Sequence, residues 1–165
     1  MQLIPDVAAF QKRLDALPLA SYKIGETVLV GGSRTGRLLI LKHGKVSIVK
    51  EGIEIAKVAE PGAVFGEVSA LLDQPHTADV HATENSQFHV ADAALLAQDP
   101  IVLLYVAGVL ARRLDAANQA LIELKGQFQA GQPASTISKT IEKIEGLLGP
   151  SGNLAYAGYP YDPYA

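Results

Sequence analysis

The chain has 165 residues, 48% of them apolar and 19% charged, with 14 Lys and Arg against 17 Asp and Glu for a net charge of −3; this is one domain of ordinary size with short appendages and enough apolar matter for a core. The absence of cysteine excludes a disulfide scaffold, a thiolate metal site and a thiol nucleophile, and the mild acidity argues against a nucleic-acid-binding face. The start, MQLIPDVAAFQKR, lacks the apolar core of a signal peptide, and no run of about 18 apolar residues offers a membrane span, so the expectation is a soluble, cytoplasmic protein.

Residues 1–20 are expected to form an N-terminal helix. Pro5 and Asp6 suit its start, Pro18 its end, and Val7, Phe10, Leu14 and Leu17 fall on one face. That face packs on the domain or takes a partner. Residues 21–98 change character. TVLV, RLLILK, KVSIVK, IEIAKVA and SQFHVAD are β-rich runs separated by Gly25, Gly31, Gly32, Gly36, Gly44, Gly52, Gly62 and Gly66. Many short strands without intervening helices predict an antiparallel sandwich or barrel. A short helix over 92–98 follows, with Asp92 as its N-cap.

Asp99-Pro100 restarts the chain as an N-cap with proline at the first helical position, and a long helix is expected over 99–130. Leu103, Ala107, Leu110, Leu114, Ala117, Leu121, Leu124 and Phe128 recur at alternating steps of four and three. That heptad seam predicts a homodimer through a two-stranded coiled coil, against packing within the chain. After the break at Gly131-Gln132-Pro133, residues 134–148 read as a short amphipathic helix with Ile137, Ile141, Ile144 and Leu148 on one side. The end of the 131–165 segment is rich in Pro, Gly and Tyr, with Tyr156, Tyr159, Tyr161 and Tyr164. It is a linker-like tail, or a peptide that inserts into a partner.

The densest chemical signal runs from Pro61 to Ala82, PGAVFGEVSALLDQPHTADVHA. Gly66 allows a backbone to come close. Glu67 to Leu72 suit a single helical turn, whose first amides, those of Val68, Ser69 and Ala70, are donors for an anion. A carboxylate at Glu67 repels a phosphate unless it serves another group such as a sugar hydroxyl. His76 and Thr77 add a weak cation and a hydroxyl. The composite reads as a sugar-phosphate cradle.

Phe65-Gly66-Glu67-Val68-Ser69-Ala70-Leu71-Leu72, followed by Thr77-Ala78-Asp79-Val80, resembles the phosphate-binding cassette of cyclic nucleotide-binding domains, the family of the catabolite activator protein. Tyr22 to Leu29 and Leu39 to Val46 are similar to that family's first strands, and Leu110-Ala111-Arg112-Arg113-Leu114 is similar to the dimer helix of its bacterial activators. The resemblance covers roughly residues 10–128. It implies an α+β, mainly β fold: an antiparallel jelly roll, or double-stranded β-helix sandwich, flanked by an N-terminal helix and a long C-terminal dimerisation helix. It implies cyclic AMP or cyclic GMP as the ligand. Gly66 would approach the ribose and phosphate, Glu67 would accept from the ribose 2′-hydroxyl, the amides of Val68 and Ser69 and the Thr77 hydroxyl would face the phosphate, and Asn118 would touch the base. The family's phosphate-binding arginine falls at His76, which offers one donor and no permanent charge. Arg34 and Arg37 either supply that charge from elsewhere or are solvated.

His43, His76, His81 and His89 lack metal-ligand spacing, no serine sits in a nucleophile elbow, and Glu67 has no second carboxylate placed beside it. The expectation is a non-enzymatic regulatory protein with no catalytic residue and no metal, which reaches an unidentified effector protein through residues 134–165. Residues 129–165 carry two lysines, no arginine and three acidic residues, so no DNA-reading domain is expected after the long helix and no nucleic acid among the partners. The alternative is a ligand-free adaptor or assembly subunit that kept the fold and, with His76, lost the nucleotide.

Overall fold

The computed structural model describes residues 7–148. Pro5, Asp6 and the four tail tyrosines lie outside the described residues. The chain runs α1 (Val7–Asp15), β1 (Leu19–Tyr22), β2 (Thr27–Leu29), β3 (Arg37–His43), β4 (Val46–Lys50), β5 (Ile53–Val58), β6 (Val64–Phe65), α2 (Glu67–Leu72), β7 (Asp79–Ala82), β8 (Ser86–Asp92), α3 (Ala93–Gln98), α4 (Pro100–Gln129) and α5 (Ala134–Leu148). The strands form two antiparallel four-stranded sheets, in the orders β1-β8-β3-β6 and β2-β7-β4-β5. This is the jelly-roll sandwich that the glycine-punctuated runs predict.

The run RLLILK is continuously apolar because β3 is covered on both faces, and strand alternation sorts its side chains. Leu39 and Leu41 point between the sheets, where they join Val28, Val46, Ile48, Val58, Phe65 and Phe88. Leu38 and Ile40 point the other way, into a second core with Phe10, Leu14 and Leu17 of the α1 region and Val102, Val106 and Val109 of α4. Phe65 and Tyr22 each meet Phe88 edge-on, with ring centroids 5.8 and 5.7 Å apart. The N-terminal helix therefore packs on its own domain, with Phe10 stacked on Tyr105 of α4 at 3.7 Å.

The helix starts follow the sequence. The Asp92 carboxylate accepts from the Leu95 amide at 2.8 Å, and that of Asp99 accepts from the Ile101 and Val102 amides. Three strands differ from the sequence reading. Helix α1 stops at Asp15, and Leu19–Tyr22, at the end of the segment expected to be helical and just beyond it, is β1; Pro18 breaks the helix and leaves the next residues extended. Strands β6 and β7 were not among the expected runs: β6 is two residues long, and β7 follows directly on the cassette.

The heptad seam of α4 is mostly open to solvent in the single chain. Leu103, Leu114, Leu121 and Phe128 are exposed, Leu110 and Leu124 are half-buried, and Ala107 is exposed. Ala117 is the correction: it is 3% exposed within one chain, in the half of α4 against which α5 folds back, so it is not free to line a seam. The face that α4 turns to the roll is a different stripe, with Val102, Tyr105, Val106, Val109 and Arg113.

Candidate functional site

The cassette sits where β6 leaves the first sheet and turns into α2. Gly66 is the turning point, with φ 78°. A Cβ there would collide with the backbone carbonyl of Arg37, so the position demands glycine twice over, for its left-handed backbone and for its contact. The sequence reading gave this close approach to a ligand; the structure gives it to the neighbouring strand. Helix α2 opens at Glu67, and the Ala70 amide donates to the Gly66 carbonyl at 3.0 Å as the first helical bond. Ala70 is therefore spent, which corrects its place among the free donors. Val68 is half-buried beside it, and Ser69 is buried.

Glu67 does not meet Arg34, Arg37 or Lys42. Its Oε1 lies 3.3 Å from the Arg113 guanidinium of α4, in a pair whose side chains are 19% and 7% exposed. Burial lowers the Arg113 pKa and the Glu67 carboxylate raises it against that trend; an arginine remains charged regardless. This buried pair is the residue contact that sequence reasoning missed. Arg112-Arg113 was visible only as part of a helix, and no local pattern names a partner 46 positions away.

His76 is buried, and its Nε2 lies 2.9 Å from the Thr35 hydroxyl. Its backbone is fastened to the same loop, with its amide donating to the Ser33 carbonyl and its carbonyl accepting from the Gly32 amide, both at 2.8 Å. Burial pushes the His76 pKa below the ordinary 6.5, and the Glu67 carboxylate offsets part of that. His76 is thus a neutral imidazole at pH 7, not the weak cation that its place in the sequence offered. Ser69 completes the fastening: its Oγ accepts from the amides of Thr35 and Gly36, each at 3.2 Å.

The structure brings Gly66, Glu67, Val68, Ser69 and His76 together around the start of α2, with the 31–37 loop laid against Ser69 and His76. Thr77 follows His76 at an exposed position. Asn118 is exposed on α4, five residues beyond Arg113. Among the described residues no group of three or more potential ligands could hold a metal, and no helix is long and apolar enough to cross a membrane. The groups gathered here are a carboxylate, a serine hydroxyl, a neutral imidazole and two loop amides, and these are bonded to one another or, for Glu67, to Arg113.

Residues 19–98 match the model of the cyclic nucleotide-binding domain family. A stretch of 70 residues, 42% of this chain, is 37% identical to a cGMP-dependent protein kinase of Plasmodium berghei, of which it spans only 8%. Among solved structures, a cyclic nucleotide-binding domain from Methylobacillus flagellatus superposes with a TM-score of 0.59 at 25% identity, over 70% of this chain and 72% of that one. The catabolite activator protein of Thermus thermophilus superposes with a TM-score of 0.55 at 22% identity, over 84% of this chain and 82% of that one. Residues 19–98, which carry both sheets and the cassette between them, belong to the cyclic nucleotide-binding domain family.

Proposed function

We propose that this chain is a non-enzymatic sensor of a cyclic nucleotide, cyclic AMP or cyclic GMP, that acts through protein contacts of its long helix. The observation that carries the reading is the Glu67–Arg113 pair. It joins the cassette to α4 through one buried charge contact, and in this reading Glu67 is also the group that accepts from a ribose hydroxyl. A ligand hydroxyl that binds this carboxylate changes the partnership of Arg113, and so biases how α4 is held. Gly66, the Val68 and Ser69 amides, His76 and Thr77 complete the ligand site in this reading, with Asn118 closing on the base. The name of the matched kinase, dependent on cGMP, is in keeping with this ligand class.

The exposed seam, Leu103, Ala107, Leu110, Leu114, Leu121, Leu124 and Phe128, serves a homodimer. Apolar side chains at that period on an open helix face are buried by a second helix of the same kind. The working division is the N-terminal helix (1–20), the roll with its cassette (21–98), the dimerisation helix (99–130), and a segment of short helix and tail (131–165) whose residues 134–165 meet an effector protein.

A second reading has its own support. Three cradle side chains already have intrachain partners: Glu67 has Arg113, His76 has Thr35, and Ser69 has two amides. A domain so satisfied is what a ligand-free adaptor would show. Calorimetric titration with cyclic AMP and cyclic GMP separates the two, with sedimentation of the same sample. The sensor reading expects micromolar or tighter binding to a dimer, with binding lost in Glu67→Ala. No heat from either nucleotide at about 1 mM, a binding free energy weaker than about −4 kcal/mol, sinks it and leaves the adaptor.

A further inference from the structure

The cradle lacks a charge for an anion. Within it, His76 is buried and tied to a hydroxyl, and the Arg113 charge is matched by Glu67 at 3.3 Å. The loop that covers it brings one. Gly32 and Gly36, with φ of 79° and 62°, bracket Ser33-Arg34-Thr35 as a strap, and both flanks of Arg34 are fastened to the cradle: Ser33 through its carbonyl to the His76 amide, Thr35 through its hydroxyl to the His76 ring and through its amide to Ser69. The Arg34 backbone is thereby fixed beside the start of α2.

Its side chain reaches the residue that caps the end of α2. The guanidinium lies 3.9 Å from Asp73 Oδ2, with the two side chains 58% and 94% exposed. Asp73 is the C-cap of α2, left-handed at φ 52° and four residues beyond Ser69, so about 6 Å of helix rise separates their backbones. An arginine side chain covers that span by changing rotamer. What it gives up is small, because an exposed ion pair at 3.9 Å is screened by water and holds its partners weakly. What it gains at Ser69 and His76 is a phosphate with two oxygens for a fork of N–H donors, a stronger contact than a point charge makes.

We propose that Arg34, carried on the Gly32–Gly36 strap, is the cation that engages the cyclic phosphate in this cradle. The inference rests on the sensor reading above and adds the residue that supplies its missing charge. Asp73 is a stand-in partner that holds the guanidinium near the site until the anion arrives.

The test is calorimetry of the full chain with cyclic AMP and cyclic GMP. The variants are Arg34→Ala, Arg34→Lys and Asp73→Asn, with Lys50→Ala, an exposed cation at the end of β4, as the control for net charge. If Arg34 engages the phosphate, Arg34→Ala weakens binding by roughly tenfold or more, the loss of one charge-assisted contact. Arg34→Lys then keeps part of the affinity, Asp73→Asn binds at least as tightly as the parent, and Lys50→Ala is within about twofold of it, as for an exposed charge screened by solvent. Binding by the parent chain that survives Arg34→Ala within twofold overturns the inference and leaves the sensor reading standing. An equal loss in Lys50→Ala also overturns it, because net charge alone would then set the affinity. If the parent chain binds neither nucleotide, the sensor reading falls and this inference falls with it.

Discussion

The two halves of α4 bury different things. From Pro100 to Arg113 the helix lies on the first sheet, and its covered residues are large: Val102, Tyr105, Val106, Val109 and Arg113. Beyond Arg113 the covered residues are Ala117 and Ala120, and the neighbour is α5, which folds back with Thr140 and Ile144 buried and Lys143 3.0 Å from Glu123. Bulky side chains weld the first half to the roll by buried area, whereas alanines let a second helix come close with little area at stake. Arg113, paired with Glu67, is the border between the two. One continuous helix is thus held by bulky side chains against the roll at its start and by a close pairing with α5, which itself touches β5, at its end.

The comparison breaks most visibly at Tyr105. Its ring stacks on Phe10 and its hydroxyl donates to the Gly62 carbonyl at 2.9 Å. Tyr105→Ala is expected to cost about 3 kcal/mol or more, which lowers the melting temperature by roughly 10 °C for a domain of this size. Tyr105→Phe removes only the hydroxyl and costs about 1 kcal/mol. A loss below about 1 kcal/mol in the alanine variant would mean that the first half of α4 is not welded to the roll. At the other end, Ala120, 1% exposed, leaves no room for a larger side chain. Ala120→Leu overpacks the α4–α5 contact by about 1–3 kcal/mol, and the strain is relieved when α5 lifts off. Amide exchange over 134–144 accelerates while the main melting transition stays within about 1 kcal/mol of the parent. A fall as deep as that of Tyr105→Ala would show that the two halves melt as one.

Much of this arrangement was legible in the sequence because local rules wrote it. Asp92 and Asp99 announce their helices, Pro18 ends the first, and Gly66 marks a place where only glycine fits. The cassette was legible as a cradle, yet two of its readings changed in the fold: Gly66 admits the Arg37 carbonyl, and Ala70 spends its amide inside α2. What escaped was non-local. Arg113 gave no sign of its partner, because an ion pair across 46 residues leaves no periodicity. Strand β1, with exposure alternating between open and half-open, has no buried side to make a pattern. The heptad seam misled at Ala117 for an instructive reason. Helix α4 carries two apolar stripes that run side by side, and Ala117 lies where the covered stripe meets the open one.

The smallest expected effect sharpens the picture of the welded half. His89 of β8 is 1% exposed and sits beneath α1. Burial is the main cause that lowers its pKa below 6.5; Lys42 lowers it further, and Asp15 and a hydrogen bond with the Leu14 backbone raise it. The native state therefore binds this proton less readily than the unfolded chain does. The neutral ring contributes its full stability above pH 6.5, and that contribution drains as pH falls from 6.5 toward the lower native value, where the loss levels off. His76, lowered by burial in the same direction, adds to the same slope. Thermal melts between pH 7.5 and pH 5 are expected to show a falling melting temperature, with the decline shallower in His89→Leu whatever that variant's starting stability. Because the ring lies on the side of the sheet that holds α1 and the first half of α4, exchange at low pH should rise first in α1 and residues 100–113. An unchanged slope in the variant would remove His89 from that seam and place the acid sensitivity in the cassette, with His76.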